Sequence, residues 1–165
     1  KAPKNQTYLS SVELPFFNLN STEGAAVELP TVAEATRRSY TKRFGHVAVS
    51  ESKKFGIPAS IILANAILHS QYGQRNLTRS GNNHFGIPCT ADWQGESSNH
   101  NDACYRHYDN AWMSFRDHSL YLTSGRFAPL RKLSAGNYKA WAKGLQDLSY
   151  SDIYVDLAAK MIALI

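Results

Sequence analysis

Phe55-Gly56-Ile57-Pro58-Ala59-Ser60-Ile61-Ile62-Leu63-Ala64-Asn65-Ala66-Ile67-Leu68-His69-Ser70-Gln71-Tyr72-Gly73 is the stretch that decides the fold of this 165-residue chain. Pro58 fixes φ for a first helical turn, where its missing N–H costs nothing, and Gly73 stops the run. Between them Ile61 to Leu68 is apolar nearly all round. A helix of that kind belongs in the middle of a domain, with neighbours on several sides. Asn65, His69 and Tyr72 interrupt the pattern at spacings of four and three, which aligns them along one side of the helix. Buried polar groups without partners are costly, so that line is expected to face a polar cleft or a hydrogen-bonding network.

Outward from this helix, Thr31-Val32-Ala33-Glu34 has capping-box spacing after Pro30 and opens a first helix to about Lys54, bent or split at Gly45. Downstream, a helical turn near Asn76 to Arg79 leads into the turn Gly81-Asn82-Asn83. An irregular, strand-prone stretch then runs from Phe85 to Tyr108 and carries most of the expected β structure. Asp109 can cap a third helix ending at Gly125, Asn137 a fourth through Tyr138, Trp141 and Leu145, and Ser151 a last one through Tyr154, Leu157, Met161 and Leu164. The fold class read from this order is α+β, mainly α, with one small β element. Residues 1–29 read as an irregular arm whose Phe16 and Phe17 dock on the body, and residues 30–165 as one domain.

A hydrophobic fraction of 43% with 3 Trp, 9 Tyr and 7 Phe supplies a core and excludes general disorder. No apolar run reaches the roughly 20 residues that span a bilayer. The start, Lys1-Ala2-Pro3-Lys4, lacks both Met and an apolar leader, and reads as a processed or trimmed form. The formal charge of +5 suits an anionic partner. Without a Lys/Arg block or an aromatic ribonucleoprotein pattern, nucleic acid is not the expected one. Cys89 and Cys104 can form one loop staple worth roughly 3 kcal/mol, or remain two free thiols. A bridge would place the protein outside the cytoplasm, and an exported, periplasmic or cell-surface chain is the expectation. His84, His100 and His107 could join His69 around a metal, but no ligand spacing supports this, so neither metal nor cofactor is expected.

The strings Phe55 to Leu68 and Gly81-Asn82-Asn83-His84-Phe85-Gly86-Ile87 closely resemble the peptidoglycan β-N-acetylglucosaminidase family of autolysins and flagellar-assembly hydrolases. The resemblance continues through Trp93-Gln94-Gly95, Tyr105-Arg106-His107-Tyr108, Phe115-Arg116-Asp117-His118 and Tyr138 to Leu145, and is greatest to Bacteroidetes-type versions. It implies a lysozyme-like helical lobe facing a small β-hairpin lobe across a glycan groove. That groove would be bounded by the end of the second helix, the 81–87 turn, the β lobe and Tyr150.

The departures from the family pattern are specific. Where the family has Leu-Glu-Ser-Gly-x-Gly, with Glu as the general acid, this chain has Leu68-His69-Ser70-Gln71-Tyr72-Gly73, so the resemblance puts His69 in the acid's place. An imidazolium there would repel the positive charge that develops on the sugar. For the second carboxylate the chain offers Glu96, Asp102 and Asp109, while Ala103 stands where similar relatives often have Glu. The family's Gly-Tyr-Ala-Thr-Asp-x-x-Tyr segment is represented by Ser149-Tyr150-Ser151-Asp152-Ile153-Tyr154, about two residues shorter, with Tyr150 in the place of the site tyrosine.

Each site residue has a bland alternative. His69 can be a core histidine bonded to Asn65 or Tyr150, Asn83 can simply shape its turn, and Phe85 can be core. The candidate site is His69, Glu96 and Tyr150 for chemistry, with Asn65, Tyr72, Asn83, Phe85, Trp93 and Tyr105 for glycan contact. The expected function is a degenerate glucosaminidase-like domain that binds N-acetylglucosamine-containing glycan or serves as a cell-envelope scaffold with a protein partner. The alternative is an active hydrolase with His69 or another residue in the acid role.

Overall fold

A computed structural model of the chain describes residues 31–165. The expected N-terminal arm, with Phe16 and Phe17, lies outside the described residues. Among the described residues there are six α-helices, α1 (Glu34–Phe55), α2 (Ala59–Ser70), α3 (Asn76–Gly81), α4 (Ala111–Leu122), α5 (Tyr138–Asp147) and α6 (Leu157–Leu164), and one hairpin, β1 (Ser97–His100) and β2 (Ala103–Arg106). The architecture is mainly helical, with the small antiparallel sheet inserted between α3 and α4.

The apolar helix α2 lies at the centre. Ile61, Ile62 and Ala64 through Ser70 are all buried, and the helix packs against α1, α5 and α6. Phe115 from α4, Trp141 from α5 and Phe127 complete the core around it. The buried Glu51 of α1 receives a two-pronged ion pair from Arg116 of α4, at 2.9 Å from both Nε and Nη2, which clamps those helices together.

Several expected boundaries move. α1 is continuous through Gly45, because Tyr40, Phe44, Val47, Ala48 and Glu51 form one buried stripe whose packing outweighs the roughly 1 kcal/mol helix penalty of glycine. Its first residue is Glu34, and no Thr31 cap forms. The Glu34 carboxylate instead accepts from Arg38 Nε one turn ahead, at 2.9 Å. α4 is capped by Asn110 rather than Asp109, with Met113 N–H donating to Asn110 Oδ1 at 3.0 Å, and ends at Leu122. The chain beyond it winds as a 3-10 helix, Gly125–Lys132, which accommodates Pro129. The Asn137 cap of α5 forms, accepting from Ala140 N–H at 3.1 Å. Ser151 caps nothing: Tyr154 stays in the loop so that its hydroxyl can donate to the Leu68 carbonyl at 3.0 Å. α6 therefore starts at Leu157, and the Gln146 side chain on α5 accepts from its Ala158 N–H.

The strand-prone stretch from Phe85 to Tyr108 yields only short pairing. Ser97 faces Arg106, and His100 faces Ala103 across the turn at Asn101 and Asp102, which have φ of 46° and 63°. Pro88 bridges Tyr105 on the other side, giving β2 a partner at both edges. The Cys89–Cys104 disulfide, with Cα atoms 5.3 Å apart, and the hydrogen bond from Cys89 N–H to the Cys104 carbonyl staple that third segment to the hairpin.

Candidate functional site

The end of α2 is turned sharply. Gln71, Tyr72 and Gly73 have φ of 51°, 56° and 81°, three consecutive left-handed residues of which only the last is glycine. The turn is held by Arg75, whose Nη1 donates to the His69 carbonyl at 2.9 Å. It delivers His69 to the wall of a cavity of about 220 Å³ between the helical lobe and the hairpin. Phe85 to Pro88, Ala103 and Tyr105 of the hairpin side, Tyr121, Arg126, and Ser149 to Ile153 complete the lining.

The loop Phe85-Gly86-Ile87 is fixed from beneath by Asn83. The buried Asn83 amide donates to the Ile87 and Arg106 carbonyls at 3.0 and 2.9 Å, and its oxygen accepts from Ile87 N–H at 3.0 Å. Gly86 has φ of 62°, the left-handed conformation that favours glycine, and its Cα faces His69, since a Cβ there would meet Nδ1 at an ordinary contact distance of 3.7 Å. On the opposite wall, Arg126 Nη2 donates to the Ser149 carbonyl at 3.0 Å, tying the 3-10 helix to the 149–153 loop. Tyr150 from that loop donates to the Phe85 carbonyl at 3.3 Å.

His69 is 5% exposed, with its ring edge-on to Tyr150 and to Tyr154, at 5.4 Å in both cases. Burial, and then the neighbouring charge of Arg75, lower its pKa to about 3. The imidazole is neutral at pH 7, and its Nε2 has no hydrogen-bond partner among the described residues. Burial likewise raises the pKa of the Tyr150 and Tyr105 phenols above the ordinary tyrosine value. Asp152, on the exposed rim, is the one carboxylate lining this cavity among the described residues.

Of the residues singled out from the sequence, His69, Phe85, Tyr105 and Tyr150 meet here. Phe85 is 1% exposed and stacked on His118 with ring centroids 3.8 Å apart, so its ring belongs to the core and its backbone to the cavity. Asn65 lies behind the site, buried and bonded to His118 Nε2 at 2.9 Å. Asn83 spends its amide on the backbone, as described, and has no exposed surface. Tyr72 turns to the other face of α2, where it meets Tyr40 edge-on. Trp93 is outside the cavity lining. Its indole N–H donates to the Glu96 carbonyl at 3.0 Å, and the Arg106 guanidinium lies 4.6 Å from its ring centroid. Glu96, Asp102 and Asp109 also fall outside the lining. Arg75, Arg126 and Asp152 were not foreseen. Arg75 gave no pattern to read, whereas Asp152 stood beside Tyr150 in the sequence. Among the described residues no three or more His, Cys, Asp or Glu side chains gather as a metal site.

A helical lobe and a small hairpin meeting across a cavity at the end of a buried central helix is the lysozyme-like arrangement. The family model for glucosaminidases, described as mannosyl-glycoprotein endo-beta-N-acetylglucosaminidase, matches residues 45–165, and the chain belongs to this family. Exo-glucosaminidase LytG of Bacillus subtilis (strain 168) is 27% identical over 169 residues, covering 87% of this chain and 57% of LytG. Peptidoglycan hydrolase FlgJ of Vibrio parahaemolyticus is 25% identical over 128 residues, covering 68% of this chain and 42% of its own. The chain thus spans about half the length of these curated relatives. The glycoside hydrolase domain of Salmonella typhimurium FlgJ superposes with a TM-score of 0.61 at 27% identity, over 77% of this chain and 84% of that one.

Proposed function

We propose that this domain binds N-acetylglucosamine-containing glycan, in the form of peptidoglycan, and hydrolyses it little or not at all. The observation that carries the reading is the joint placement of His69 and Ala103. By resemblance these are positions where relatives have carboxylic acids, and they line one cavity. A neutral imidazole buried to a pKa of about 3 holds no acidic proton at pH 7 to give a leaving oxygen, and a methyl group activates no water. Missing general acid catalysis alone costs about 10²–10⁴ in rate. The aromatic faces of Tyr105 and Tyr121, the Tyr150 hydroxyl and the backbone of the 149–153 loop remain to hold sugar rings. Trp93 contributes less, since Arg106 already packs on its ring.

The names of LytG and the FlgJ proteins support a site of action in the cell envelope. The disulfide supports an exported location, periplasmic or cell-surface, and a protein partner there would suit a scaffold role. Among the described residues no helix is long and apolar enough to cross a membrane.

Asp152 favours a second reading, an active hydrolase in which this rim carboxylate supplies the acid. The two are separated by incubating the protein with purified peptidoglycan and measuring both sedimentation with the sacculi and release of reducing ends. Binding without release supports the first reading. Release that Asp152→Asn abolishes supports the second.

A further inference from the structure

We propose that a second cavity, on the α1 side of the central helix, is a binding site for a phosphate-type oxyanion. This cavity, of about 550 Å³, shares no lining residue with the one at His69. Its wall carries the exposed guanidinium groups of Arg43 and Arg79 and, among the described residues, no carboxylate. An uncompensated pair of guanidinium groups at a cavity is a site for an anion, and their fork geometry favours phosphate and carboxylate groups over simple ions.

The floor adds a fixed donor. Ser70 Oγ accepts from Gly73 N–H at 2.9 Å and donates to the Tyr40 hydroxyl at 3.1 Å. In the proposed site Tyr40, whose oxygen accepts from Ser70, donates its own proton to His84 Nδ1, 2.7 Å away. That direction leaves His84 as the tautomer with its proton on Nε2. His84 is 4% exposed and lines the cavity, and in the proposed site its Nε2–H is the donor at the base. The imidazole stays neutral because burial, and then Arg43, lower its pKa to about 4. The hydroxyls of Thr36 and Ser39 on α1 also line the cavity. Two guanidinium groups, an imidazole and two hydroxyls around one cavity make a donor set suited to the several oxygens of a tetrahedral oxyanion.

The test titrates the full ¹⁵N-labelled chain with inorganic phosphate, followed by NMR, and sediments it with vesicles of phosphatidylglycerol or of phosphatidylcholine. Saturable shifts at Arg43, Arg79 and His84 are expected, with affinity at least about tenfold weaker in Arg43→Gln/Arg79→Gln, whose altered side chains are exposed and leave the core intact. Sedimentation with phosphatidylglycerol alone, lost in the double variant, would assign the anion to a lipid headgroup. Phosphate binding without sedimentation would assign it to a soluble or polymer-borne phosphate. No saturable response, an unchanged affinity in the double variant, or shifts confined to His69 and Tyr105 would overturn the proposal.

Discussion

His69, in the last turn of α2, and Ala103, the first residue of β2, line one cavity from opposite lobes of the molecule. On the proposed reading they stand where relatives carry the two carboxyl groups of glycosidic cleavage, and they supply a neutral imidazole and a methyl group instead. Supplying carboxyls at both positions is therefore expected to create activity. His69→Glu/Ala103→Glu should release reducing ends from peptidoglycan at least about 10²-fold faster than the wild-type chain, the lower bound for a general acid. No gain in a double variant of unchanged far-UV circular dichroism and unchanged sacculus binding would count against the assignment.

The buried histidines make stability fall in acid. His69 and His84 have folded pKa values of about 3 and about 4, below the ordinary 6.5. The unfolded chain therefore takes up protons first as the pH drops, so this stability is full above about pH 6.5 and is lost progressively toward those folded values. Each histidine removes about 2 kcal/mol between pH 6.5 and pH 5, at about 1.4 kcal/mol per pH unit. Urea unfolding at pH 7 and pH 5 checks this, and His69→Gln should reduce the difference by about that amount. Equal stability at the two pH values would contradict it.

Gln71, which by resemblance stands where the family pattern has glycine, occupies a left-handed position with φ of 51°. Gln71→Gly removes the Cβ clash and a buried amide whose Nε2 has no partner among the described residues. It should raise the unfolding free energy by about 1 kcal/mol. A lowered Tm in this variant would show that the Gln71 side chain contributes more than its backbone costs.

Asn83→Ala strips two buried hydrogen bonds from Ile87 and one from the Arg106 carbonyl of β2, and should destabilise the fold by about 3 kcal/mol. Reducing the Cys89–Cys104 bridge should cost a similar amount, roughly 3 kcal/mol for a loop of this length. Calorimetry with and without reductant reads the second, and an unchanged Tm on reduction would sink it.

The central helix was legible because Ile61 to Leu68 admit only a buried environment and Pro58 marks its start; its end was not, since α2 stops at Ser70 with Gln71 left-handed instead of running through Tyr72 to Gly73. The cap of α5 was legible because an Asn before an amphipathic run has one obvious use. Other boundaries depended on distant partners: Tyr154 stays out of α6 to reach Leu68, and no local pattern encodes that hydrogen bond. The same holds for the site. A helical line through Asn65, His69 and Tyr72 carries no information on how the chain turns after Ser70. The left-handed run at Gln71, Tyr72 and Gly73 sends Tyr72 to the opposite face from His69. Arg75 and Arg126 reached the cavity through backbone carbonyls, a contact type that side-chain spacing does not reveal.

The most direct test of a glycan-binding domain without turnover is one incubation of the unmodified chain with purified peptidoglycan, read for bound protein and for soluble reducing ends. The account predicts co-sedimentation that N-acetylglucosamine oligomers compete away, with release no higher than in a protein-free blank. Robust release by the unmodified chain, or no co-sedimentation at all, would contradict it.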